Sequence, residues 1–146
     1  ARPASGSATS NAVTVDDGAA GSAEDELILY RTGIDAVLKQ RDYDQGIVSF
    51  GRYLEQYPNG VYAANAKYWL GQVYLQREEL DSAKNWFSEL VNEYPNHQKT
   101  AEAKFKLAKV LYMQGETEKA KQQLQSVAAS GSSAAKLAQA FLDKNY

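Results

Sequence analysis

Residues 57–87 read YPNGVYAANAKYWLGQVYLQREELDSAKNWF, and residues 94–120 read YPNHQKTAEAKFKLAKVLYMQGETEKA. A shift of 37 residues lays one on the other without a gap. Tyr57-Pro58-Asn59 falls on Tyr94-Pro95-Asn96, and Ala64, Ala66, Lys67, Leu70 and Val73 fall on Ala101, Ala103, Lys104, Leu107 and Val110. The register extends outward. Asp44, Asp81 and Glu118 superpose, as do Phe50, Phe87 and Leu124, and the small residues Gly46, Ala83 and Ala120. A further shift places Ala103 on Ala140. Bias towards helix-forming residues alone would not match a Tyr-Pro-Asn and the small residues in one frame. Internal repetition at this period is the mark of a helical array.

Within each repeat the apolar residues recur at helical spacing. Ala101, Phe105, Ala108 and Tyr112 share one face. No run alternates with the period of a strand. The pattern predicts helix pairs at 25–40 with 43–57, 61–77 with 80–94, and 98–114 with 117–129, then a capping helix over about 133–144. Pro58 and Pro95 stand where each second helix must stop, since proline donates no amide hydrogen and restricts the residue before it. Asp42, Glu79 and Glu116 open each second helix, where an acid meets the positive end of the helix dipole. Gly46, Ala83 and Ala120 are expected to let paired helices approach, with Phe50, Phe87 and Leu124 filling the gap between pairs. Each pair has an apolar face it cannot bury alone, so stacking and a terminal cap are required.

Residues 1–23, ARPASGSATSNAVTVDDGAAGSA, hold almost no large apolar side chain. Such a segment cannot offset its ordering entropy and reads as a disordered linker or tail, with something attached before it in a longer protein. The helical domain is expected over 24–146, as repeats of about 24–60, 61–97 and 98–132 with the cap at 133–144.

Composition narrows the function classes. The chain has 146 residues, is 44% hydrophobic and carries a net charge of −2. Residues 1–97 hold 8 Lys/Arg against 14 Asp/Glu, while residues 98–146 hold 8 Lys against 4 Asp/Glu. A dipolar chain of this kind can steer a charged partner towards one end. No cysteine is present, so a disulfide framework and a zinc-thiolate site are excluded. His97 is the only histidine and lacks the partners a base or a metal needs. No apolar run approaches the ~20 residues of a membrane span. Lys104, Lys106 and Lys109, interleaved with Phe105 and Tyr112, are too sparse a basic footprint for nucleic acid, and Phe105 and Tyr112 repeat Tyr68 and Leu75. No catalytic residue, cofactor or metal is expected, and no nucleic-acid partner.

Leu70, Gly71, Tyr74, Ala83, Phe87 and Pro95 have the spacing of the tetratricopeptide repeat signature. Leu107, Ala108, Leu111, Ala120 and Leu124 follow it, with Ser132 where proline is usual. Gly33, Ile34, Val37, Gly46, Phe50 and Pro58 form a degenerate first copy. An all-α tetratricopeptide repeat (TPR) solenoid is the fold this implies: three helix-turn-helix units and a C-terminal capping helix. The two quoted stretches, and the closing FLDKNY, resemble the C-terminal domain of the YbgF/CpoB family of Tol-Pal-associated cell division coordinators. That resemblance implies a periplasmic adaptor of Gram-negative bacteria that binds TolA and works with a peptidoglycan synthase, coupling wall synthesis to outer-membrane constriction. It also implies oligomerisation through an N-terminal coiled coil, of which this chain shows no heptads, and no direct membrane insertion. Outer-membrane assembly proteins share a related repeat pattern, and an accessory domain of a cell-wall enzyme is a further alternative.

In a right-handed stack of such pairs, the first helix of each unit lines a concave groove. Mapping the repeats onto that geometry places Arg31 and Asp35, then Tyr68, Gln72 and Leu75, then Phe105, Lys109, Tyr112 and Met113 on the inner side. Aromatic and Met side chains would supply contact area there. Tyr68, Leu75 and Phe105 are equally compatible with inter-helix core.

Overall fold

A computed structural model describes residues 22–146. The linker reading of 1–23 therefore falls almost wholly outside the described residues; only Ser22 and Ala23 lie within them, as the cap and first residue of a helix. Seven α-helices follow one another: α1 (Ala23–Leu38), α2 (Tyr43–Gln56), α3 (Ala63–Gln76), α4 (Leu80–Glu93), α5 (Thr100–Met113), α6 (Thr117–Ala128) and α7 (Ala135–Asn145). The described residues contain no strand. This is the all-α repeat architecture expected, with each helix boundary within about two residues of its expected place. The described residues divide inside α3, between Ala66 and Lys67, into two compact units.

In the first unit, α1 opens on a capping box. The Ser22 hydroxyl accepts from the Asp25 amide at 3.1 Å, and the Asp25 carboxylate accepts from the Ser22 amide at 3.2 Å. Asp42 caps α2 by accepting from the Gln45 amide at 3.0 Å. The two helices meet where side chains vanish. A Cβ on Gly33 would lie 2.7 Å from the Phe50 ring, and one on Gly46 would lie 2.6 Å from Val37.

The join from α2 to α3 is built around a buried carboxylate. Glu26 Oε2 accepts from the Tyr53 hydroxyl at 2.5 Å and from the Val61 amide at 2.7 Å. The Tyr53 oxygen in turn accepts from the Tyr62 amide at 2.9 Å. Burial, and then the hydrogen bond to Glu26, push the Tyr53 phenol well above its ordinary value. A Cβ on Gly60 would run into both Glu26 and Tyr53, so the Tyr-Pro-Asn-Gly turn needs its glycine there. In the next repeat Glu26, Tyr53 and Gly60 correspond to Ala64, Leu90 and His97. All three members of the polar cluster are exchanged together.

In the second unit the same pairing recurs. A Cβ on Gly71 of α3 would sit 2.6 Å from the fully buried Phe87 ring of α4. Gly71→Ala is therefore expected to destabilise the chain by about 1–3 kcal/mol through overpacking, read as a lower urea midpoint at unchanged slope. Lys67, only 7% exposed, spans the pair by bridging Glu89 at 2.6 Å and Glu93 at 2.7 Å. Burial alone would lower its pKa, but the two carboxylates outweigh burial and hold it above its ordinary value. α5 packs on α4 and α6, and α7 packs on α6. Phe105, Ala108, Leu124, Val127, Ala134 and Ala138 form the core shared by α5, α6 and α7.

Two expectations need correction. Phe50 and Phe87 pack against the first helix of their own pair rather than filling a gap between pairs. Asp42, Glu79 and Glu116 stand at the N-caps of α2, α4 and α6, as expected, and of these only Asp42 also makes a side-chain cap bond. Glu79 pairs with Arg77 at 2.6 Å and Glu116 with Lys119 at 3.0 Å.

The second correction concerns register. The turn 39–42 between α1 and α2 is one residue longer than the turns 77–79 and 114–116. The left-handed residues of these turns, Arg41, Glu78 and Gly115, keep the 37-residue period. The extra residue therefore lies before Arg41, and α1 is offset by one. Tyr30 and Gly33 match Tyr68 and Gly71, as the ring spacings confirm: Tyr30 to Phe50 is 5.9 Å and Tyr68 to Phe87 is 6.0 Å.

Candidate partner-binding surfaces

The offset changes which α1 residues correspond to the expected groove positions. Arg31 and Asp35 were matched to Tyr68 and Gln72 by the gap-free shift; the structure matches Tyr30 and Ile34 instead. Arg31 is exposed, and Asp35 is half-buried and paired with Lys39 at 3.6 Å. Tyr30 stacks flat on Tyr62 with ring centroids 4.7 Å apart. Its three-residue spacing to Gly33, the same as Tyr68 to Gly71, is the sequence signal that reveals it.

In the second unit, Tyr68 and Phe105 belong to the core rather than to an open wall. Tyr68 is 4% exposed. Lys99 lies over its ring at 4.7 Å, and its hydroxyl donates to Glu102 at 3.2 Å. Burial, and then the Glu102 charge, push its phenol well above the ordinary value. Lys99 and Glu102 are themselves 3.5 Å apart, so α5 covers this tyrosine with an ion pair. Phe105 is 6% exposed. The Phe141 ring of α7 meets it edge-on at 6.2 Å.

Tyr112 is half-buried. Phe141 contacts it at 5.3 Å and the C-terminal Tyr146 at 5.8 Å. Tyr146 is tied down in turn, its hydroxyl donating to the Thr117 carbonyl at 2.7 Å. Tyr112 thus anchors the cap. Gln72, Leu75 and Lys109 are partly open, and Met113 is exposed. Lys109 extends over the Phe105 ring at 5.7 Å. Burial, and then repulsion from Lys109, lower the neighbouring Lys106. The open positions on α3 and α5 therefore combine an apolar thioether, an amide and a cationic edge.

His97 has a turn role. Its Nδ1 accepts from the Lys99 amide at 3.0 Å, and its ring meets Tyr94 edge-on at 6.3 Å. Among the described residues no group of three His, Cys, Asp or Glu side chains is placed to hold a metal ion. No described helix is long and apolar enough to cross a membrane.

A family model described as YfiO, outer membrane lipoprotein, matches residues 22–146. Two Pseudomonas putida proteins called cell division coordinator CpoB, one of them from strain KT2440, are each 42% identical to this chain over 55 residues. The match covers 38% of this chain and 20% of each relative, so the chain spans about a fifth of their length. The chain thus belongs to the YfiO outer membrane lipoprotein family, and its helical repeats form a TPR domain of the CpoB/YbgF type.

Proposed function

We propose that the chain is a non-catalytic adaptor of the Gram-negative periplasm. It binds TolA of the Tol-Pal system, acts alongside a peptidoglycan synthase, and helps coordinate wall synthesis with outer-membrane constriction during division. The likeness to the CpoB proteins carries this reading. The open side chains Gln72, Leu75, Lys109 and Met113 support it, because they give a helical-repeat scaffold a face suited to a peptide. Arg31 and Asp35, with Tyr30 and Ile34, form the corresponding stretch of α1.

Tyr112 supports the cap, so it is a poor probe of binding. Lys109→Glu combined with Met113→Ala touches the open face alone. This double variant is expected to bind the periplasmic part of TolA about tenfold more weakly, as loss of an interface anchor does. Its circular dichroism and melting midpoint should match the parent. Unchanged TolA affinity would move the docking surface elsewhere on the chain.

A second reading is favoured by the family description itself: a subunit of outer-membrane protein assembly. A lipid-modified cysteine in the natural protein, found by mass measurement, would support it over the first.

A further inference from the structure

Lys67 and Lys104 occupy the same position in successive repeats, and their surroundings differ in one systematic way. Lys67 is enclosed by Glu89, Glu93 and the Tyr94 ring, the last at 6.0 Å. One period later those three positions are Ser126, Ser130 and Gly131. The cation is retained, while both carboxylates and the aromatic wall are gone. Lys104 has no ion-pair partner among the described residues. Where the larger side chains would have stood there is a cavity of about 260 Å³, lined by Lys104, Ser126 and Ser130 together with His97, Thr100 and Ser132.

Among the polar groups lining this cavity, His97, Ser126 and Lys104 can donate, and Asn96 adds an amide. His97 Nδ1 is occupied by the Lys99 amide, so the neutral ring carries its hydrogen on Nε2 and can donate from there. Ser126 adds a hydroxyl, and Lys104 adds an ammonium. Thr100 already donates its hydroxyl hydrogen to the Tyr94 carbonyl, and Ser130 and Ser132 are bonded to each other at 2.8 Å. No carboxylate lines the cavity. The half of the chain around it, residues 98–146, is the basic half.

We propose that this pocket binds a carboxylate supplied by a partner polypeptide. The same fold shows at Lys67 what a lysine at this position holds: two carboxylate oxygens at 2.6 and 2.7 Å. In the third repeat the intramolecular carboxylates are deleted, and the site is open to an intermolecular one. Charge-assisted hydrogen bonds of this kind are the strong ones. Two glutamate side chains and a phenol ring have been replaced by two serines and a glycine, so the space exceeds what a bare inorganic anion fills. It admits the carboxylate together with the carbon chain that carries it. The inference rests on the adaptor reading, since it names the chemistry that a bound partner would present at this end of the chain.

The test uses the full chain labelled with nitrogen-15 and three probes: N-acetylglutamate α-amide for an acidic side chain, N-acetylglycine for a chain end, and inorganic phosphate. At least one carboxylate probe is expected to shift the His97, Thr100 and Ser126 amides saturably. Whichever binds more tightly tells side chain from chain end. Ser126→Glu with Ser130→Glu rebuilds the enclosure of Lys67 around Lys104. It should fold at least as stably as the parent and bind the probe at least about tenfold more weakly. Lys104→Gln should lose binding to the same degree, which keeps the test intact if the double variant folds poorly. Equal binding by these variants, binding of phosphate alone, or no saturable shift would overturn the proposal. TolA binding without probe binding would remove this pocket and leave the adaptor reading standing. Probe binding without TolA binding would do the reverse.

Discussion

Phe87→Ala is expected to lower the free energy of unfolding by about 3–5 kcal/mol. Phe87 has no exposed surface. Its ring lies on Gly71 and meets the Tyr68 ring at 6.0 Å. A glycine has no side chain to move into the space left behind, and α3 is held to α4 by the Lys67 bridges. The cavity therefore persists, and its cost adds to the lost burial. Urea titration followed by circular dichroism measures the effect. A loss under about 1 kcal/mol would mean that the ring is not the wedge between these helices.

Glu26→Ala is expected to cost about 2–4 kcal/mol, because it strands two donors. The Tyr53 hydroxyl and the Val61 amide both point at one Glu26 oxygen, and Tyr53 is fully buried. Glu26→Gln keeps a carbonyl acceptor in the same place and should cost much less. The same titration checks the ranking. Equal losses for the two variants would indicate that Glu26 matters through its packing, not through the hydrogen bonds it accepts.

The helices were legible because their cause is local. Apolar residues at helical spacing, and Pro58 and Pro95 at the ends of second helices, act within a few residues of themselves. The offset of α1 was not legible in the same way. A gap-free shift keeps Arg41, Glu78 and Gly115 aligned, and one extra turn residue then hides that Gly33, not Ile34, matches Gly71. The groove residues read from α1 inherited that shift. Glu26 is one of three acids in the first turn of α1, and nothing in the repeat pattern singles it out. Its burial depends on Tyr53, 27 residues away, which no local pattern exposes.

Burial of Tyr68 and Phe105 was undecided for a different reason. A ring on a repeat's inner helix faces solvent or core according to what the next helix brings. Here α5 brings Lys99 and Glu102 over Tyr68, and α7 brings Phe141 over Phe105. Lys67 and Lys104 teach the same lesson with identical letters. One is a buried structural cation and the other an exposed one, and the difference resides in Glu89 and Glu93 against Ser126 and Ser130.

The adaptor reading makes binding to TolA its main commitment. Isothermal titration of the unaltered chain with the periplasmic part of TolA measures that binding without a label or a mutation. A saturable isotherm with one TolA per chain is the expected result. Absence of saturation up to about 100 μM, a concentration well above that needed for micromolar binding, would contradict it.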